Sequence, residues 1–143
     1  MEQFIKGREI ECAVLQDGDE FFASVPGEVI ASKEFYDYEA KYADDQDSEI
    51  VIPAQITDDT LILIREYAVK AMEALDGSSL ARVDFFLTAE NEIIINEVNT
   101  LPGFTNISMY PKMWENMGIP YGDLIERLIR TAARKRHTDY LES

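Results

Sequence analysis

Apolar and polar positions alternate from the start of the chain. Residues 8–15, REIECAVL, follow a period of two and are rich in β-formers, which predicts a strand. The turn signal Asp17-Gly18-Asp19 leads into EFFASV, a second strand, so the pair predicts a hairpin. Residues 27–31 read as a third short strand. Residues 33–49, KEFYDYEAKYADDQDSE, are acidic yet carry aromatics, and predict a long loop with room for one helical turn; such loops often serve as lids. The period then changes. Leu61, Ile64, Ala68, Ala71 and Leu75 recur at helical spacing behind a cap at Thr57 or Asp58, and DGSS ends that helix. SLARVDFFLT at 79–88 and EIIINEVN at 92–99 are strands around the turn AEN. YPKMWENMGIP holds a short helix. YGDLIERLIRTAARKRH is an amphipathic last helix whose basic end suits the negative pole of its dipole.

Composition narrows the field. With 143 residues and 46% hydrophobic content, the chain suits one domain over 1–143 with a real core. A net charge of −15 argues against a general nucleic-acid binder, which needs a basic footprint. It leaves nucleotide binding open, because a local cation or helix terminus can override the global field. No apolar run approaches the ~20 residues that span a membrane. The N-terminal MEQFIKGREIEC lacks the basic-then-apolar pattern of a signal peptide and enters structured sequence at once, as expected of a piece of a longer protein. A single cysteine, Cys12, sits among apolar neighbours; it reads as an inert core residue of a cytoplasmic protein. The single histidine, His137, reads as solvated.

The candidate chemistry lies in the two strands around Glu90–Asn91. Side chains alternate along a strand, so Arg82 and Asp84 share a face, as do Glu97 and Asn99. With a two- or four-residue turn, paired positions place Asp84 opposite Glu97 and Arg82 opposite Asn99; a three- or five-residue turn breaks that register. Opposed carboxylates repel. A shared proton, Arg82 as counter-ion, or a divalent cation on Asp84, Glu97 and the Asn99 amide oxygen would each relieve them. The plain alternative is a solvated polar hairpin face. Few oxygen ligands with open positions suit Mg²⁺, and no Cys/His cluster points to zinc. The stretch TLPGFTNIS that follows offers hydroxyls, amides and a glycine, Gly103, whose N–H could meet an oxyanion.

ARVDFFL followed by INEVNTLPGFT closely resembles the ATP-grasp core of the D-alanine–D-alanine ligases. FYDYEAKY at 35–42 resembles the ω-loop of that family, and EQFIKGRE at 2–9 its adenine- and ribose-binding hinge strand. The resemblance runs to about residue 130. It implies an α+β fold, the C-terminal lobe of ATP-grasp, with a mostly antiparallel sheet and helices packed on one side. It also implies ATP-dependent joining of two D-alanines for peptidoglycan. One carboxylate is phosphorylated to an acyl phosphate, the second amine attacks, and phosphate leaves.

On the same resemblance, Asp84 and Glu97 bind one Mg²⁺ and Glu97 and Asn99 a second, with Mn²⁺ as a substitute. Arg82 and the Gly103 N–H stabilise the acyl phosphate and the tetrahedral oxyanion. Ser108 and Met109 hold the carboxylate of the second D-alanine. Glu2 meets the adenine amino group and Glu9 the ribose hydroxyls. Gln3 and Ile5 contact adenine through backbone, Phe4 and Phe86 wall it, and Asn96 belongs to the same nucleotide set. Lys41 reaches the phosphates and Tyr42 closes the ω-loop. Each has a plainer rival: a surface ion pair for Lys41, loop packing for Tyr42, a fraying end for Glu2, core packing for Phe86.

Some positions depart from the family pattern. Ser79 stands where Gly or Ala is frequent, which reads as a packing matter. Gln3 replaces a common lysine and Met109 a frequent leucine. Tyr42, rather than histidine, favours the dipeptide over D-alanyl–D-lactate. The family's N-terminal domain and further phosphate-binding lysines have no counterpart here, so the chain alone is expected not to turn over. Its surface toward the absent lobe is expected to be apolar, and the full-length enzyme to be a homodimer. The competing readings are another ATP-grasp carboxylate–amine ligase, a Mg²⁺–nucleotide module without chemistry, and a purely structural acidic domain.

Overall fold

The computed structural model describes residues 4–31 and 48–142. Its strands are β1 (Arg8–Asp17), β2 (Glu20–Ala23), β3 (Gly27–Ile30), β4 (Glu49–Val51), β5 (Leu80–Leu87) and β6 (Ile93–Asn99). The helices are α1 (Asp58–Ala74), α2 (Met109–Asn116) and α3 (Tyr121–Glu142). One antiparallel sheet runs β4-β3-β1-β5-β6, and β2 pairs with the far end of β1. The predicted hairpin of β1 and β2 is present, closed at Asp17–Glu20 with Gly18 at φ +64°, a value glycine adopts freely. The predicted loop over 33–49 falls mostly outside the described residues; its last residue, Glu49, opens β4, a strand the sequence did not predict, which pairs with β3.

The long strand β1 organises the core because its two faces meet different partners. Ile10, Cys12 and Val14 join Ala81, Val83, Phe85 and Leu87 of β5 beneath α1. Burial pushes the Cys12 thiol up to about 12, so it stays a protonated core group, as expected. The α1 helix starts where predicted: the Thr57 side chain accepts from the Thr60 N–H. Its buried stripe is Thr60, Ile64, Ala68 and Met72; Ile64 and Ala68 are as predicted, Ala71 packs half-buried against the same core, and Leu61 and Leu75 fall outside the stripe. Leu75 is the C-cap and 61% exposed, because the helix turns its i, i+4 row to the sheet.

An antiparallel sheet with a helix on one side is thus what forms, with one addition. The other face of β1 presents Glu9, Glu11, Ala13 and Leu15, and α2 and α3 cover only its Ala13–Leu15 end. There Tyr110, Met113, Trp114 and Leu124 are buried, and the Tyr110 hydroxyl donates to the Val14 carbonyl at 2.9 Å. The Glu9–Glu11 end of that face stays open. The last helix runs on to Glu142, so Arg134–His137 are not its final turn and the dipole reading fails; Arg127 and Arg134 lie instead 3.9 and 3.8 Å from Asp17.

Ser79 is a backbone matter rather than a packing one. It sits at φ +68°, held by Ser79 N–H to Gln16 Oε1 (2.9 Å) and by Gln16 N–H to the Ser79 carbonyl (2.8 Å). A left-handed conformation costs an L-residue about 1–2 kcal/mol, and glycine returns part of that in chain entropy. Ser79→Gly is therefore expected to stabilise the fold by roughly 0.5–1 kcal/mol in urea melts. A loss of stability would mean that the Ser79 side chain contributes more than its backbone costs.

Candidate functional site

The open face joins three strands. Register places Glu9 beside Phe86 and Glu11 beside Asp84 across β1 and β5, then Asp84 beside Glu97 and Arg82 beside Asn99 across β5 and β6. The expected pairing of the acids is present, but its premise was wrong. The hairpin loop is Ala89–Asn91, closed by Thr88 N–H to the Glu92 carbonyl, with Asn91 left-handed at φ +62°. That is a three-residue loop, and near it Leu87 pairs with Ile93 and Phe85 with Ile95. A β-bulge between Asp84 and Phe85 inserts one extra residue, Asn96, into β6 and so restores the register at the acids. The bulge also brings Asn96 to the open face. Simple alternation from Glu97 would have turned it away.

Phe4, Ile5, Glu9, Phe86 and Asn96 all line one cavity of about 680 Å³, within the range of small-molecule sites. Glu2 and Gln3 of the same set, and Lys41 and Tyr42, lie outside the described residues. Gly7 forms part of the floor: a Cβ there would lie 3.0 Å from the Leu87 carbonyl oxygen, a tight approach that a larger residue would relieve only by shifting this segment on β5. Phe4 is 89% exposed, an apolar wall open on its outer side. Arg8 and Glu28 close the cavity from β1 and β3, with Arg8 Nε and Nη2 donating to the two carboxylate oxygens at 2.8 and 2.7 Å.

Beside the cavity, Arg82 holds Asp84 in a two-pronged pair, Nε to Oδ1 and Nη2 to Oδ2, both 2.8 Å. Its Nε also lies 3.4 Å from Glu11 Oε1. Of the three ways to relieve the opposed acids, the counter-ion is therefore the one realised within the chain. Glu11 was not foreseen. The signal was present: the alternation that buries Ile10 and Cys12 sets Glu9 and Glu11 on the opposite face, but only the β1–β5 pairing reveals what they meet.

Glu11 is mostly buried, and its Oε2 has no hydrogen-bond partner among the described residues. Burial first, with Asp84, Glu9 and Glu97 adding repulsion against the opposing pull of Arg82, raises its carboxyl to about 7. A carboxyl raised in the folded state contributes stability that is complete below its unfolded value and is lost as pH rises through about 7. Stability without metal should therefore fall between about pH 4.5 and 7, by roughly 1–3 kcal/mol. Glu11→Gln should flatten that slope in chemical denaturation at stepped pH; an unchanged slope would assign it to other groups.

No cluster of three or more His, Cys, Asp or Glu side chains among the described residues is arranged to hold a metal alone. Asp84 and Glu97 with the Asn99 amide form a sparser hard-oxygen set, the kind Mg²⁺ completes with water and phosphate oxygens. Asp84 and Glu97 stand opposite each other, and among the described residues the one guanidinium paired with Asp84 also serves Glu11, so this hard-oxygen set fits a divalent cation. Asn99 Oδ1 accepts from Leu101 N–H at 3.0 Å and keeps a second lone pair.

Past β6, the loop through Gly103 leads to α2. Ser108 is its N-cap, yet the Ser108 hydroxyl bonds back to Thr105, accepting its N–H at 3.0 Å and sharing a 2.8 Å contact with its Oγ1. The first N–H groups of α2 thus have no side-chain cap, the arrangement that receives an anion. Gly103 is exposed, and a Cβ there would come within 3.2 Å of Ser108 Oγ. The Met109 side chain turns inward, against Gly27. Leu101 and Ile107 stand 89% and 71% exposed around this loop.

An antiparallel sheet with a nucleotide-sized cavity and an acidic strip on its open face defines the C-terminal lobe of an ATP-grasp ligase. The chain belongs to the D-alanine–D-alanine ligase family: residues 1–130 match the family model "D-ala D-ala ligase C-terminus". D-alanine–D-alanine ligase A of Salmonella typhimurium is 55% identical over 138 residues, which are 96% of this chain and 37% of that protein. The solved D-alanine–D-alanine ligase of Coxiella burnetii superposes with a TM-score of 0.80 at 39% identity, over 99% of this chain and 36% of that one. The Bacillus anthracis ligase solved in complex with ATP gives 0.77 at 25% identity, over 96% and 42%. The chain thus spans little more than a third of the relatives it matches. Among its described residues, no helix is long and apolar enough to cross a membrane.

Proposed function

We propose that this chain carries the ATP- and metal-binding half of an enzyme that joins two D-alanines into D-alanyl-D-alanine for peptidoglycan, in the reducing cytoplasm and as a homodimer. One observation carries the reading: the described nucleotide set, Phe4, Ile5, Glu9, Phe86 and Asn96, lines a single cavity, and the acidic strip lies on the same sheet face.

In this reading adenine lies between Phe86 and Phe4, with Ile5 and Gln3 meeting it through backbone and Glu2 accepting from its amino group. Glu9 accepts from the ribose hydroxyls. Asp84, Glu97 and Asn99 would hold two Mg²⁺, or Mn²⁺, which neutralise phosphate charge and orient the transferred group. A D-alanine carboxylate oxygen bonds to the γ-phosphorus, the bond to ADP breaks, and an acyl phosphate results. Arg82 donates to the transferred phosphate, and Lys41 reaches the same oxygens from a loop that Tyr42 closes. The second amine then attacks the acyl carbon, and the proton it loses ends on the departing phosphate. The Gly103 N–H meets the oxyanion, and the C–O bond to phosphate breaks. The uncapped start of α2 at Ser108–Met109 receives the second carboxylate.

The test is a chimera in which residues 1–130 replace the matching part of the Salmonella typhimurium ligase. Phosphate release is followed with ATP, Mg²⁺ and D-alanine, with D-lactate and D-serine as rival second substrates and Glu97→Gln as the blank. D-alanine-dependent release well above the blank is expected, and none from the 143-residue chain by itself. Nucleotide binding without release in the chimera would favour a module that binds but does not react.

A further inference from the structure

Glu11 is used by none of these steps, yet it is built into the site. It completes a row of three carboxylates, Glu11–Asp84–Glu97, across three neighbouring strands. Among the described residues, one guanidinium lies within ion-pair distance of the row, Arg82, and it is placed between two claimants, Asp84 and Glu11. Its fork is on Asp84 at 2.8 Å, while its Nε stands 3.4 Å from Glu11 Oε1. That second distance is an ion pair but too long for a strong charge-assisted hydrogen bond, which closes to about 2.7–2.9 Å. The other Glu11 oxygen, Oε2, is buried with no hydrogen-bond partner among the described residues. A buried carboxylate with one loose contact and one empty acceptor is costly unless some state of the protein fills it.

The competition at Asp84 supplies that state. Arg82 now occupies both oxygens of Asp84, the same oxygens a divalent cation needs. A cation bound there would expel the guanidinium, and a free guanidinium beside a metal is doubly unfavourable through like-charge repulsion and lost hydrogen bonds. We propose that Glu11 is a positioning residue: it receives the Arg82 guanidinium when a divalent cation claims Asp84, and so lets the metal bind while keeping Arg82 on the open face. The handover needs only a small swing of the fork toward an acceptor already at 3.4 Å. It rests on the reading of Asp84 and Glu97 as metal ligands.

The experiment is a Mn²⁺-binding double-mutant cycle on the 143-residue chain with ADP present, read by loss of the free-Mn²⁺ electron paramagnetic signal. Its members are the parent, Glu11→Gln, Arg82→Met and the double variant, with Glu97→Gln alongside. Glu11→Gln is isosteric; if Arg82→Met does not fold, Arg82→Gln replaces it. Glu11→Gln is expected to weaken Mn²⁺ about tenfold in the parent and less than threefold once Arg82 is gone, since interacting residues fail to add. With saturating Mg²⁺, the Arg82 Nε–H nuclear magnetic resonance signal should stay protected from exchange in the parent and be lost in Glu11→Gln. An unchanged affinity in Glu11→Gln overturns the proposal. A loss of threefold or more in the Arg82 background does so too, because Glu11 would then act as a ligand or a through-space charge. A chain that takes up no Mn²⁺, or that Glu97→Gln leaves unaffected, overturns the metal reading itself and this proposal with it.

Discussion

Glu97→Gln should abolish the Mg²⁺-dependent stabilisation of this chain by ADP while leaving the ligand-free fold intact. Glu97 is exposed on β6 and faces Asp84 across the sheet. Neutralising it removes a cross-strand repulsion and buries nothing new, so the apo melting temperature should hold or rise slightly. The parent chain is the contrast. Nucleotide at ~100 times its dissociation constant adds about 2.7 kcal/mol to folding stability. For a domain of this size that is a melting shift on the order of 8 °C. Scanning calorimetry with ADP, with Mg²⁺ or with chelator, should show the shift only in the parent with metal. A Mg²⁺-dependent shift of full size in Glu97→Gln would place the metal elsewhere.

Arg8→Met should cost about 3 kcal/mol of folding stability, a large share of the 5–15 kcal/mol typical of a domain. Arg8 donates through two nitrogens to Glu28 and through Nη2 to the Gln55 carbonyl at 2.9 Å, tying β1 to β3 and to the segment before α1. Glu28 is only 7% exposed, so without Arg8 a buried carboxylate loses its counter-ion. The Arg8 side chain is itself 43% exposed and water can enter in its place, which puts the cost at the low end for a broken buried pair. Arg8→Met/Glu28→Gln should recover to within ~1 kcal/mol of the parent, because the stranded charge is gone. Urea denaturation of the three chains decides it. A single variant as stable as the parent would mean that Glu28 finds water or another donor. Both residues line the cavity, so ADP affinity should fall in the single variant as well.

Much of the site was legible because strand alternation is a local property. Arg82 with Asp84, and Glu97 with Asn99, share a face by spacing alone. The motifs from ARVDFFL through INEVNTLPGFT carried the family, and Phe4, Ile5, Glu9, Phe86 and Asn96 line one cavity. Besides the dipole reading of α3, two more failed on geometry that spacing does not contain. On α1 the spacing finds Ile64 and Ala68 but takes Leu61 and Leu75 in place of Thr60 and Met72, because the helix azimuth is set by the sheet beneath it. Ser79 looked like packing because its φ of +68° is invisible in the letters.

The sequence by itself determined the three helices, five of the six strands and the side of each strand on which the acids stand; β4 was not among them. Those follow from periods of two and 3.6 and from caps such as Thr57, which act over a few residues. Tertiary structure alone decided the rest. The three-residue loop at Ala89–Asn91 would have misaligned Asp84 and Glu97, and the extra residue Asn96 realigns them. The pairing of β1 with β5 brought Glu11, distant in sequence, to the guanidinium of Arg82. The docking of α2 and α3 against Ala13 and Leu15 covered one end of the second face and left the other end open. Register, strand order and helix placement are long-range quantities. They are set by which apolar faces bury each other, and no local pattern in the chain states that outcome.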